Sequence, residues 1–460
     1  MSETQMSGEA MNLAGVRAVA AEVACDDRPG ASSRPRLGIL DFNPIQYRTP
    51  LYQLMTRRAR VELDVLFLTD NGHHPAVDPG FGVPVTWDID LLSGYEHQFL
   101  TTSSRCPPAL SRAARLARWV SDHDAVVVHG YSHPWMLLTA LLCRTRRVPY
   151  LLRAESAPQG PATGLRRHLR NAVARAVVSA SAAGLAIGRL NEEFYRHYGA
   201  ARIIWAPYSV DDKRFAGPPP ISRSELLSRW NLDVHRPVIL FCGKLCPRKR
   251  PLDLCAAVNA LAHDVNVMFV GDGVLAAKVQ ACLPSGSGAV TGFVNQSELP
   301  TYYHAADIIV LPSEVEKWGL VVNEAMAAGV LPVVSDRVGS APDLVVGMGE
   351  VYPCGDTARL TDALSRALAL ANNPETRSRV RQHAAGYCLD RTAAGFEEAA
   401  FAVSGGVSDL TRNSGYTRSQ RGASHSSVAM VRAVQSGRTR YLRARNGHES
   451  FSRMVAARRS

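Results

Sequence analysis

No apolar run in this 460-residue chain approaches the ~18–20 residues that span a bilayer, and the longest, "MLLTALLC" at 136–143, ends after eight. The first residues, "MSETQMSGEAMNLAG", carry an acid at Glu3 and no compact apolar stretch before a cleavage site, which argues against a secretory signal. A cytoplasmic protein is expected. Paired cysteine spacing is missing as well: nine cysteines, an odd number, are scattered from Cys25 to Cys388, which argues for reduced thiols rather than a disulfide framework. Cys242, Cys246 and Cys255 come nearest to a metal pattern. However, Cys242 sits in the strand-like "VILFCG", Cys255 sits in an apolar helix, and no second ligand pair follows at zinc spacing. Acids are scarce in one place. Residues 405–460 hold eleven Arg, no Lys and only Asp409 and Glu449, a net +9 of the chain's +11, so the remainder is nearly neutral. This segment is rich in Ser, Gly and Arg without a sustained period and reads as a disordered basic tail, able to attract anionic lipid headgroups. A nucleic-acid partner is not expected. Residues 1–34, with "DDRPGASSRP", read as a second flexible end.

Between these ends, short β-branched and apolar runs alternate with helical patterns, as in parallel sheets covered by helices on both faces. From residue 236 the order is strict: "RPVILFCG", "PLDLCAAVNALA", "VNVMFVGDG", "VLAAKVQACL", "SGAVTGFV", "SELPTYYHAA", "DIIVLPS", "GLVVNEAMAAG", "LPVVSD". A looser series fills 36–208: "PRLGILDF", "VELDVLFLT", "HDAVVVHG", "VPYLLRA", "SAAGLAIG" and "ARIIWAPY". The fold class is therefore α/β, with two doubly wound Rossmann-like domains, 35–212 and 213–404, joined near "VDDKRFAGPPPISR", where three prolines interrupt both patterns. Ligands of such sheets bind at the carboxyl ends of the strands, so a cleft between two of them is the expected site.

Candidate chemistry falls on two strand-to-helix loops. In "VEKWGLVVNEAMAAG" (315–329), Glu316 precedes Gly319, where the chain can turn tightly into a helix. The first-turn amides near Leu320 and Val321, at the positive end of the helix dipole, suit a phosphate. Glu324 lies about a turn further in on the same side. Two carboxylates flanking an anion site match a nucleotide-sugar, with ribose hydroxyls, diphosphate and sugar hydroxyls in that order. In "FCGKLCPRKRPLDL", Lys244 follows a strand and Gly243, with Arg248, Lys249 and Arg250 in the same loop. Fixed ammonium groups stabilise the charge that develops on a departing diphosphate, and no metal is then required.

These stretches, with "VGDG", "GFVNQSELPTYYHAADIIVLPS" and "VVSDRVGSAPDLV", cover roughly 236–345 and occur in the order found in a known family. The chain resembles the retaining glycosyltransferases of the GT-B fold called glycosyltransferase group 1, or family 4. The resemblance implies that Glu316 contacts hydroxyls of the transferred sugar, that Glu324 holds the nucleotide ribose, and that Lys244 and Lys249 bind the diphosphate. Many members carry Arg at the first basic position; Lys244 keeps the charge and loses the bidentate fork. Trp318 replaces a common Phe, and Pro332 sits one place later than usual.

The first half matches more loosely. "HDAVVVHG" resembles the family strand ending in a histidine near the reacting sugar, pointing to His129, and the next loop adds His133. "DFNPIQYRTPLYQLM" resembles the first strand and loop of an acceptor domain, which places Asn43 and Tyr47 toward the acceptor; "LLRAES" adds Arg153 and Glu155. Asp88 and Asp90 form an Asp-x-Asp, the metal signature of a different transferase fold, and are set aside because the surrounding motifs belong to a metal-independent architecture. "GLRRHLRNAVARAVVSA" places Leu165, Leu169, Val173 and Val177 at helical spacing among arginines, a pattern that suits either packing on the sheet or peripheral contact with an anionic membrane.

The expected activity is transfer of a sugar, with retention, from a UDP- or GDP-sugar to a hydroxyl of a glycan, a lipid-linked saccharide or a secondary metabolite, with no cofactor. A nucleotide-sugar epimerase of the same fold and a catalytically silent nucleotide-sugar-binding protein are the alternatives.

Overall fold

The structure, a computed structural model, describes residues 34–72, 76–77, 80–157, 164–284 and 286–405. The expected flexible start and the basic tail lie outside these residues, apart from Arg34 and Gly405.

In the first half the chain runs β1 (Arg36–Asp41), α1 (Thr49–Arg58), β2 (Glu62–Phe67), β3 (Ala76–Val77), β4 (Pro84–Val85), β5 (Glu96–Phe99) and α2 (Ala109–Ser121). It continues through β6 (Ala125–His129), α3 (Pro134–Arg146), β7 (Tyr150–Arg153), α4 (Leu165–Ser179), β8 (Ala183–Ala186), α5 (Arg189–Tyr198) and β9 (Ile203–Trp205). Strands β3 and β4 pair antiparallel, while the other seven form one parallel sheet in the order β5-β2-β1-β6-β7-β8-β9. Strand β5 was not foreseen. Its residues "EHQF" are polar because it lies at the sheet edge, where no apolar run is needed.

The second half begins with α6 (Asp212–Ala216), α7 (Arg223–Arg229), β10 (Val238–Cys242), α8 (Pro251–Asn259), β11 (Asn266–Val270), α9 (Ala276–Cys282) and β12 (Gly288–Gly292). It ends with α10 (Leu299–Ala305), β13 (Ile308–Leu311), α11 (Leu320–Ala327), β14 (Leu331–Ser335), β15 (Glu350–Tyr352), α12 (Thr357–Ala371), α13 (Pro374–Ala384) and α14 (Leu389–Val403). Its parallel sheet has the order β12-β11-β10-β13-β14-β15. Every residue of β10, β11, β13 and β14 is buried, because helices cover both faces of these strands.

Strand order reverses between β1 and β6 in one sheet and between β10 and β13 in the other. At each reversal the loops leave on opposite faces and open a crevice at the strand ends. One crevice carries the loops after Asp41 and His129, the other those after Cys242 and Leu311.

A linear division at 212/213 does not follow the packing of α14. That helix lies within 213–404, yet Leu389, Ala393, Phe396, Ala399 and Ala400 complete the core beneath the first sheet. Arg58 of α1 donates through Nε and Nη2 to the buried Glu397 of α14 at 2.8 and 2.9 Å. The last helix therefore returns across the molecule and ties its two halves together.

Candidate functional site

Glycine-dependent and charged positions meet at the β10/β13 reversal. Gly319 is left-handed (φ 95°) and begins α11, where a Cβ would come within 2.7 Å of Leu311 Cδ2 and 3.4 Å of Glu316 Cγ. Any larger residue would displace the carboxylate loop or the strand that supports it. Helix α11 has no acidic side chain in its first turn and no side-chain cap, so its amino end, formed by Leu320 and Val321, keeps its positive character. Gly243 has φ 139° with open space where its Cβ would lie, while a Cβ on Gly271 of "VGDG" would strike the Gly243 carbonyl at 2.0 Å. Small residues here hold two strand ends close together.

Lys249, in a 3₁₀ turn over Pro247–Lys249, donates to Glu316 in an ion pair that joins the two loops across 67 residues of chain. Both side chains are mostly shielded from water, 12% and 15% exposed. Beside them is a cavity of about 360 Å³ lined by Lys244, Lys249, Val321 and Glu324 from the second half and by Gln46 and Tyr47 from the first. Glu324 is 2% exposed and accepts a hydrogen bond from the Tyr303 hydroxyl. Burial raises its pKa to about 7, against the opposing effects of Tyr303 and Arg214. Lys244 Nζ lies 4.9 Å from the centre of the Phe81 ring.

A second cavity, of about 430 Å³, is lined by His129, His133, Arg153 and Glu155 with Arg48 and Lys317. His129 ends β6, with Nε2 3.4 Å from the Tyr52 hydroxyl. Burial, then the charges of Arg48 and Arg153, hold its pKa well below the ordinary histidine value, so the imidazole is neutral at pH 7. Arg48 pairs with Asp41 and approaches Glu155 at 3.9 Å, and Glu155 accepts from the Tyr208 hydroxyl. Arg153 donates to the Ala206 carbonyl at 2.7 Å and stacks over Phe396. Glu316 is ion-paired to a residue of the first cavity and adjacent in sequence to Lys317 of the second, so it sits between them.

Two expectations shift. Tyr47 was placed toward an acceptor, but it lines the first cavity, where burial and the nearby Glu324 raise its phenol pKa and keep it protonated. Asn43 lines neither cavity. Its amide donates to Pro44 O at 3.3 Å and lies against Gly72. Of the other candidates, His129, His133 and Glu155 line the second cavity and Lys244, Lys249 and Glu324 the first. Asp88 accepts from the Ser297 backbone N–H at 3.2 Å, and Asp90 from the Leu92 and Ser93 amides at 3.0 Å, so each is used in a loop contact. Among the described residues no group of three or more His, Cys, Asp or Glu could hold a metal ion, and no described cysteine is in a disulfide.

Sequence reasoning missed Gln46, Arg48, Phe81, Trp87 and Gln296. Arg48 stands in a quoted stretch, but its Asp41 partner is visible only once β1 and the following loop are folded. Phe81 and Trp87 lie in "DPGFGVPVTWD", which has no period to read.

Residues 222–386 match the model of the family described as glycosyl transferases group 1. A GDP-mannose-dependent alpha-mannosyltransferase of Mycolicibacterium smegmatis is 39% identical over 127 residues, 27% of this chain and 32% of the relative. A D-inositol 3-phosphate glycosyltransferase of Xylanimonas cellulosilytica is 34% identical over 184 residues, 37% of this chain and 44% of the relative. The chain thus spans less than half the length of these relatives. Among solved structures, Anabaena HepE in complex with UDP superposes with a TM-score of 0.61 at 15% identity, covering 80% of this chain and 100% of that one. Sucrose-phosphate synthase from Thermosynechococcus elongatus gives 0.54 at 18% identity, covering 80% and 97%. The stretch 222–386 thus matches the glycosyl transferases group 1 family, and the two parallel sheets of the chain have the GT-B architecture.

Proposed function

We propose that the protein transfers a sugar from a nucleotide-sugar to an acceptor hydroxyl with retention of anomeric configuration. The observation that carries the reading is the Lys249–Glu316 ion pair beside the start of α11, with Lys244 and Glu324 lining the adjoining cavity. The diphosphate would lie over the α11 amides with Lys244 and Lys249 as its counter-charges, and Glu324 would accept from the ribose hydroxyls. Glu316, between the cavities, would accept from hydroxyls of the transferred sugar. Neutral His129 would donate or accept a single hydrogen bond at the acceptor side without adding charge. As the bond from the anomeric carbon to the phosphate oxygen breaks, the acceptor oxygen bonds to that carbon on the same face and its proton passes to the leaving phosphate, so no side chain is assigned as base. The residues of the chain itself stabilise the leaving group, and no metal or cofactor enters this scheme. The GDP-mannose dependence of one similar protein and the UDP bound in one solved structure of similar fold support a UDP- or GDP-sugar donor.

The acceptor is proposed to be a glycan, a lipid-linked saccharide or a secondary metabolite. Peripheral contact with an anionic membrane is part of the same proposal. It is motivated by α4, where Leu169 is 65% exposed among exposed Arg166 and Arg170, while Ala174 and Val178 pack inward.

Incubation of the full chain with labelled UDP- and GDP-sugars, with and without extracted glycans, tests the reading. Label should pass to an acceptor. An isomerised donor formed without acceptor would instead indicate an epimerase, and donor bound but unchanged under every condition would indicate a binding protein.

A further inference from the structure

The segment from Gly80 to Asp88 leaves the first half of the molecule and lies across the strand ends of the second sheet. Its contacts follow the loops after β10, β11 and β12 in turn. At one end, a Cβ on Gly80 would meet the Lys244 side chain at 2.5 Å, and the Gly80 carbonyl lies 3.0 Å from where a Cβ of Gly273 would stand. In the middle, the Phe81 ring packs edge-on against Phe293 with centroids 5.0 Å apart, and Trp87 approaches the same ring at 6.1 Å. At the far end, Asn295 Nδ2 donates to the Thr86 carbonyl at 2.6 Å, and Ser297 donates to Asp88 through both its backbone N–H and its hydroxyl. The three rings line the first cavity, on which the proposed nucleotide-sugar reading depends.

One polar group in that wall lacks a partner. Gln296 is 3% exposed and lines the cavity, and its Oε1 has no hydrogen-bond partner among the described residues. A buried carboxamide oxygen without a donor costs free energy unless a ligand supplies one. Aromatic faces suit a planar heterocycle, and an amide edge suits its ring N–H or amino group. Neither feature suits a phosphate, which the lysines already serve.

We propose that residues 80–88 supply the outer wall of a nucleobase subsite, with Phe81 and Trp87 closing from the first half over Phe293 and Gln296 of the second. The nucleoside end of the donor is then gripped by both halves of the molecule, and the Asp88–Ser297 and Thr86–Asn295 contacts hold the wall shut. This inference rests on the nucleotide-sugar reading and extends it to residues outside the matched stretch 222–386.

The experiment is calorimetric titration of the full chain with GDP, UDP and inorganic pyrophosphate, for wild type, Trp87→Ala, Trp87→Phe and Asp88→Ala. Trp87 is only partly buried and Asp88 is exposed, so melting temperatures close to wild type are expected. Trp87→Ala should weaken the nucleoside diphosphate that wild type binds by about tenfold or more, in line with base–aromatic stacking, and change pyrophosphate by less than about twofold. Trp87→Phe should recover most of the loss. Asp88→Ala, which keeps every ring but releases the latch, should lower affinity in the same selective way. If wild type binds a nucleoside diphosphate and Trp87→Ala matches it, or weakens pyrophosphate equally, the subsite is wrong and the nucleotide-sugar reading stands. If wild type binds neither GDP nor UDP, both are wrong.

Discussion

Glu324 is a carboxyl whose ordinary pKa of 4.5 is raised to about 7 by burial in the second half of the molecule. The fold therefore favours its protonated form. The associated stability is fully present below pH 4.5 and is lost as pH rises through 7, where the buried group must ionise. Glu324→Gln keeps an acceptor for Tyr303 and removes the ionisation, so it should be more stable than wild type at pH 8, by on the order of 3 kcal/mol, and about equal at pH 4.5. Thermal or urea melts at the two pH values check this, and a difference that does not change with pH would contradict the assigned burial. At this scale the sequence was partly legible. Lys249 and Glu316 could be assigned to one cleft because both follow strand ends that a doubly wound sheet places side by side, but their ion pair could not be read from the sequence. Tyr47 could not be placed, since which cavity a loop tyrosine enters depends on how the halves close.

Helices and strands with long apolar or periodic patterns were readable, and those without were not. β10, β11, β13 and β14 are continuous buried runs and stood out, whereas the edge strand β5 is mostly polar and the edge strand β15, at three residues, is too short to carry such a signal. α14 was placed with the wrong core by chain position alone; only the complementarity of its Phe396 face and Glu397 to α1 and the first sheet reveals where it packs. In α4 the sequence left two uses open: the helix packs through Ala174 and Val178, and Leu169, Arg166 and Arg170 are exposed, which motivates the proposed membrane contact. The full chain should therefore sediment with vesicles containing anionic lipid at low salt and be released at high salt, with Arg166→Glu/Arg170→Glu reducing the bound fraction several-fold. Absence of binding at low salt would remove membrane contact from the proposal. No helix among the described residues is long and apolar enough to cross a membrane.

For the molecule as a whole, two parallel sheets present their strand-order reversals to a shared crevice, and contacts across it come from three separate places. Asp343 accepts from the Arg189 amide at the start of α5, Asn323 donates to the Tyr208 carbonyl, and Asp88 meets Ser297. Each contact joins residues far apart in the chain, which explains why the two Rossmann-like repeats were evident from pattern while the way they engage was not. The same engagement places cations from one half and a tyrosine from the other around a single cavity. Calorimetric titration of nucleoside diphosphate into wild type and Lys249→Ala is the most direct test of that cavity as a diphosphate seat. Removal of a charge-assisted contact should weaken binding by about 10- to 100-fold with the melting behaviour retained, and equal affinities for the two proteins would contradict it.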